Sequence, residues 1–306
     1  MRERDHITFL IDSLLIPWSL SLRLAAGHCY TVTNTSTLPP YAEMYLRAAH
    51  VESSTKALLE FIQKNPLGVL TTAIQSTQYE YLQSTHIPWV LDWISDDPDT
   101  PIKGRLRGHL ARQNPHAKAL TEAANSLDTA AHGKAVELRE DVMILFTHQD
   151  HHYVTPHFYT ETRPKTGKVV PTWNYAAVQV YGKATIYHDS SSEQISNYLQ
   201  TQIQDLTQLC ETSVMGYTGS DGHKAPWEVS DAPDRLIDLL KKNIIGVEVT
   251  IEKITGKTKM SQEMGVGDRK GVVEGFDSLG TETGRSIAAM VEERGRVKDA
   301  EKAVAS

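Results

Sequence analysis

Arg107, His109 and Arg112 lie within six positions of one another, in the run Leu106-Arg-Gly-His-Leu-Ala-Arg-Gln-Asn-Pro115. On a strand Arg107 and His109 share one face, because side-chain direction alternates, and Arg112 and Asn114 follow at the exit. A guanidinium offers a bidentate fork and an imidazole a further donor, so the cluster suits a phosphate. A solvated strand end is the other reading of the same residues. A second stretch, Thr172-Trp-Asn-Tyr-Ala-Ala-Val-Gln-Val-Tyr-Gly182, reads as a strand buried on both faces and closed by Gly182. Its polar entry is costly to bury unless the polar groups find partners. Such a cluster at a strand mouth can hold a flat, hydrogen-bonding ligand; alternatively, Trp173 and Tyr175 simply fill core.

Thr85, His86 and Pro88 open another strand. Proline cannot donate to a ladder, so this is an edge, a bulge, or a place where a ligand meets the backbone. Lys257, Lys259 and Ser261 alternate onto one face at the end of the last long strand. They form a short cationic stripe or a row of solvent-facing edge residues. His148, His151, His152 and His157 invite a metal reading. Yet His151 and His152 point opposite ways on a strand and no carboxylate stands at a characteristic spacing, so no metal is assigned. There is no Gly-x-Ser-x-Gly elbow, and no side chain is assigned as catalytic. His86 and His109 stand out only because imidazole titrates near neutrality.

The elements that must position these residues are mostly strands. Hydrophobic patterning predicts strands over 67–72, 86–94, 106–111, 142–147, 176–181 with 183–187, and 245–259, joined by short loops. That order favours antiparallel β, and six such strands leave exposed edges unless the sheet closes into a barrel. A helix over 54–64 carries Leu58, Phe61 and Ile62 on one stripe and stops at Asn65-Pro66. An insertion over about 190–243 holds two more helices, the first opened by a capping box from Ser190 to Glu193. The charged tail, 276–306, is expected as a weak surface helix or a disordered segment.

Totals narrow the functional classes. The 306 residues carry 31 basic against 38 acidic side chains, a net charge of −7, which excludes a broad basic face. No helix-turn-helix with a basic recognition helix is visible, so direct DNA binding is not expected. Cys29 and Cys210 give neither a disulfide framework nor zinc spacing, which fits a reducing, cytoplasmic setting. No apolar run is long enough to cross a bilayer. Residues 7–22, behind Arg2 and Arg4, loosely resemble a secretory signal, but Asp12 and Pro17 interrupt it. Residues 1–43 are therefore read as a poorly structured extension ending near Pro39-Pro40, with Met44 as an alternative start.

Taken together, the chain resembles the PaiB family of FMN-binding split-barrel proteins. The resemblance rests on six co-linear motifs: Asn65-Pro-Leu-Gly-Val-Leu-Thr-Thr72, Thr85-His-Ile-Pro88, Leu106 to Pro115, His151-His-Tyr-Val-Thr-Pro156, Pro171-Thr-Trp-Asn-Tyr-Ala-Ala177 and Lys257-Thr-Lys-Met-Ser-Gln262. It implies an all-β core with flanking helices, a six-stranded antiparallel split barrel over 44–275, and a homodimer with FMN in each of two interface clefts. Thr71, Thr85, His86 and Pro88 would flank the flavin ring. Arg107, His109, Arg112 and Asn114 would take the ribityl phosphate. Trp173, Asn174, Lys259, Ser261 and Gln262 would close the site, some from the partner subunit. Relatives have been described as negative transcriptional regulators, and the wider superfamily includes flavin oxidoreductases and haem-degrading proteins. The readings carried forward are a flavin oxidoreductase-like protein using NAD(P)H or a small-molecule substrate, a flavin-sensing regulator, and haem binding through His109 or His151. One departure is Glu263, where the family tends to continue Ser-Gln with asparagine.

Overall fold

Long alternating strands dominate this chain, and their register decides its shape. The computed structural model describes residues 47–94, 104–127 and 133–305. In chain order these hold β1 (Val51–Glu52), α1 (Thr55–Lys64), β2 (Leu67–Ala73), β3 (Leu82–Pro88), β4 (Val90–Trp93), β5 (Gly104–Ala111), α2 (Pro115–Leu127) and β6 (Val136–Thr147). There follow β7 (His152–Val154), α3 (Thr162–Thr166), β8 (Thr172–Tyr187), α4 (Glu193–Leu209), α5 (Asp234–Lys242), β9 (Ile244–Lys259), α6 (Val266–Asp277) and α7 (Glu282–Ala305). The expected poorly structured N-terminal extension, 1–43, and the signal-like stretch within it lie outside the described residues.

Every strand pairing is antiparallel, in the order β3-β2-β6-β8-β9-β5-β4, with β1 added to β9 and β7 to β8. The two ends of that order, β3 and β4, are separated in sequence by Trp89 alone. The sheet must therefore curl until its ends meet, although they share no ladder: this is a split barrel. Trp89, 1% exposed, plugs the seam. A Cβ on Gly108 of β5 would lie 2.7 Å from Ile87 and 3.1 Å from Trp89, so glycine lets β5 close on the far wall. Leu70, Ile144, Phe146, Val180 and Val247 fill the interior. Each contributes about 1.5–3 kcal/mol by leaving water.

Several expectations change. The described residues hold nine strands rather than six. The single strand expected over 86–94 breaks at Trp89 into β3 and β4, at opposite ends of the sheet. Gly182 does not close a strand; β8 runs through it to Tyr187, with a register shift against β9 between Tyr181 and Gly182. The capping box at 190–193 does not form: the N-cap is Ser192, and its Oγ donates to Gly133 O instead. Of the two expectations for the segment after 277, the helix forms, over 24 residues, but it is packed rather than a weak surface helix. Ile287, Ala288 and Val291 bury themselves with Phe276, Met260 and Val154 in a second core cluster.

Candidate functional site

The phosphate role expected of Arg107, His109 and Arg112 is not the one their surroundings support. Arg107 Nε and Nη2 each donate to Asp92 at 2.7 Å, and Nη2 also reaches Asp205 at 2.8 Å. The hydrogen bond with Asp92 is the first cause of a raised Arg107 pKa. His109 Nδ1 lies 2.7 Å from Gln202 Oε1, and burial lowers its pKa. Arg112 donates to three carbonyls, His188 O at 2.7 Å, Lys242 O at 3.0 Å and Ile244 O at 3.0 Å. These three side chains clamp the helical insertion: Gln202 and Asp205 belong to α4, and the carbonyls flank its two stems. Strand alternation correctly put Arg107 and His109 on one face. What covers that face lies more than ninety positions away, beyond the reach of local pattern.

Where β5 ends, the chain turns directly into α2. Asn114 Oδ1 accepts the His116 amide at 2.9 Å, and Pro115 sits at the first helical position, where its missing N–H costs nothing. The helix N-terminus faces a cleft of about 680 Å³, whose lining includes Ser76, Gln78, Ser84, Thr85 and Asn114. That volume is in the range of cofactor sites. Thr71 Oγ1 and Ser84 Oγ are 2.9 Å apart beside it, while Thr85 Oγ1 lies 2.9 Å from His116 Nδ1. Among the described residues, the lining contains Glu80 and no lysine, arginine or histidine. A helix N-terminus and hydroxyls favour phosphate and polyol oxygens, but the cleft brings no cation of its own. Of the residues expected beside the ring, Thr71 and Thr85 gather here. His86 lies further along β3, opposite Val69, and Pro88 closes that strand opposite Leu67. His116 had no signal beyond its place after Asn-Pro, and sequence reasoning missed it.

A second cluster forms where β8 begins and β9 ends, through the register Tyr175 opposite Lys259. Asn174 is fully buried; its Oδ1 accepts from Ser261 Oγ at 3.1 Å, and its Nδ2 has no partner among the described residues. Ser261 holds a left-handed φ of 58°, a strained choice for serine. Gln262 Nε2 donates to Ala49 O at 3.0 Å, and its Oε1 accepts from Met260 N. Lys259 Nζ donates to Trp173 O at 2.9 Å and to Thr172 Oγ1, and its pKa is lowered, chiefly by burial. Trp173 is half exposed, with Tyr153 edge-on at 6.2 Å and His151 tilted at 6.3 Å. Glu263 Oε2 sits 3.1 Å from His50 Nε2, and its charge still acts on Lys259, opposing the lowering by burial. An orphaned buried amide, an open indole and a lysine fit the carbonyl-rich, planar head of a flavin.

Among the described residues the two clusters stand apart along the sheet. Thr71 shares a ladder row with Met143 and Tyr181, whereas Lys259 pairs with Tyr175. From 175 to 181 is six residues along β8, about 20 Å at the usual rise.

Against known proteins, the family described as "Putative FMN-binding domain" matches residues 44–253, and the chain belongs to it. An uncharacterized protein of Aspergillus fumigatus is 56% identical over 264 residues, covering 84% of this chain and 99% of the relative. The Bacillus subtilis "Protease synthase and sporulation protein PAI 2" is 23% identical over 252 residues, covering 82% and 98% respectively. A solved conserved hypothetical protein of Mycobacterium tuberculosis superposes with a TM-score of 0.39 at 13% identity, covering 70% of this chain and 90% of that one. The family's cofactor is FMN, and both clusters have chemistry that suits it. No helix among the described residues is long and apolar enough to cross a membrane.

Proposed function

We propose that this chain is a cytoplasmic homodimer that binds FMN in two clefts between its subunits and works as a flavin-dependent oxidoreductase-like protein. The observation that carries this reading is that the two clusters offer complementary chemistry. Among the described residues, the α2 cleft has donors, hydroxyls and one carboxylate but no cation; the other cluster has Lys259, an open Trp173 and an unpaired buried amide. Joining the cleft of one copy to the Lys259 cluster of a second supplies what each lacks. Thr71, Thr85 and Asn114 would hold the ribityl phosphate, with Lys259 neutralising it or the ring edge. Asn174 would donate to a ring carbonyl. Bound FMN supplies electron transfer in one or two steps; the chain supplies orientation, exclusion of water and hydrogen bonds. The exposed Trp173 and Tyr153 rings offer a docking face for NAD(P)H or a small planar substrate.

A second reading is a flavin-sensing regulator that acts through another protein. The relation to PAI 2 and the exposed Leu236, Leu239 and Leu240 on one face of α5 favour it. With a net charge of −7, direct operator binding is not part of either reading. The test is the purified full chain. Flavin absorbance, one FMN per chain in a dimer, and bleaching by NADH or NADPH support the enzyme. FMN uptake without reduction supports the sensor. A colourless monomer that takes up no FMN overturns both.

A further inference from the structure

His116 stands in the first turn of α2 with 1% of its surface exposed. Its ring bridges two strands: Nε2 lies 2.9 Å from Thr72 Oγ1 on β2, and Nδ1 2.9 Å from Thr85 Oγ1 on β3. Burial pushes its pKa down to about 4, so the ring is neutral at physiological pH. A neutral imidazole has one N–H and one bare nitrogen. One threonine must therefore donate to it, and the other must accept.

Burial decides which. Thr72 is 3% exposed, and among the described residues its hydroxyl has no hydrogen-bond partner except His116. A buried O–H that donates nowhere is costly, so Thr72 gives its hydrogen to a bare Nε2. The proton then sits on Nδ1 and is donated to Thr85 Oγ1. Thr85 lines the cleft. With its oxygen already accepting from the ring, its own O–H is free to turn toward a ligand. The opposite tautomer would make Thr85 donate inward and show only lone pairs to an oxygen-rich nucleotide.

We propose that His116 is a positioning residue of the cofactor cleft: by fixing this tautomer it presents Thr85 as a hydrogen-bond donor to the ribityl or phosphate oxygens of FMN. The inference rests on the reading that this cleft holds FMN. It matters more here than in a cationic pocket, because among the described lining residues Glu80 is the one charged side chain, so neutral donors carry the cleft's own share of the binding.

Two measurements on the full chain test it. Nitrogen-15 NMR of the imidazoles, with His116 assigned among the 13 histidines by its absence in His116→Asn, should show a protonated Nδ1 and a bare Nε2. A proton on Nε2 overturns the proposal. FMN titration, followed by quenching of flavin fluorescence, compares variants that mimic one ring nitrogen at a time. His116→Asn keeps a donor near the Nδ1 position and should bind FMN within about twofold of wild type. His116→Gln keeps an acceptor near Nε2 and loses the Thr85 contact, so its affinity should fall about fivefold to tenfold. Thr85→Val, which leaves His116 in place, should fall equally, and the Gln/Val double variant no further. Additive losses, or a His116→Gln protein with unchanged affinity, overturn the positioning role alone. Failure of the wild type to bind FMN overturns the cleft's function and this inference with it.

Discussion

Replacing Arg107 with methionine separates the two roles this residue can have. The substitution keeps the packed stem and removes a guanidinium that makes three short hydrogen bonds to Asp92 and Asp205. Removing one partner of a fully buried pair costs about 3–5 kcal/mol. Here the arginine is 12% exposed but Asp92 is 27% and Asp205 42% exposed, so water can resolvate the abandoned carboxylates in part. The expected loss is about 2–3 kcal/mol. For a chain of this size that lowers Tm by roughly 5–10 °C. Differential scanning fluorimetry with urea denaturation reads the stability, and flavin fluorescence titration reads the cofactor. The structure predicts a clear fall in Tm with FMN affinity within about threefold of wild type. An Arg107→Met protein that melts like wild type but loses FMN would refute the reasoning and restore the arginine to the phosphate.

Other perturbations address other parts of the molecule. Gly182→Ala places a Cβ 1.8 Å from Thr250 O at the shift between β8 and β9, and should cost about 3 kcal/mol or more in urea denaturation. Arg112→Ala releases both stems of the insertion, so limited trypsin digestion should cut first within 190–243 while β5 and β9 stay protected. His116 carries a pH dependence. Its folded pKa of about 4 lies below the ordinary 6.5, so the unfolded chain binds more protons between those values. Its contribution is complete above pH 6.5 and is lost as pH falls to 4, at most about 3 kcal/mol. That slope, measured as urea stability against pH, should vanish in His116→Asn.

Local pattern carried most of the barrel. Alternation in 176–187 and 245–259 found β8 and β9, and the serine before 55 found the cap of α1, whose Oγ accepts from Ala57 N. Asn114-Pro115 does end the turn after β5, but α2, which proline at the first position starts, was not foreseen. Gly271 and Gly275 hid α6: they look like loop residues, but their bare Cα atoms let Phe158 and Thr160 approach. At the site, residue types were legible and partners were not. Asn174, Lys259 and Ser261 were chosen from motifs and do converge. Arg107 and His109 were chosen on equal grounds and are covered by α4, whose Asp205 and Gln202 could be matched to them only in three dimensions.

Subunit complementation tests the divided site most directly. One variant, Thr85→Val with Asn114→Ala, disables the α2 cleft; another, Lys259→Ala with Asn174→Ala, disables the opposite half. Each pure protein should bind FMN poorly. Mixed and allowed to exchange, half of the dimers are hybrids, and each hybrid has one intact site and one doubly damaged site. The account predicts recovery of about a quarter of the wild-type FMN sites at full affinity, by random pairing of subunits in a shared-site dimer. A mixture that binds no more FMN than its separate components would show that each chain builds its whole site alone.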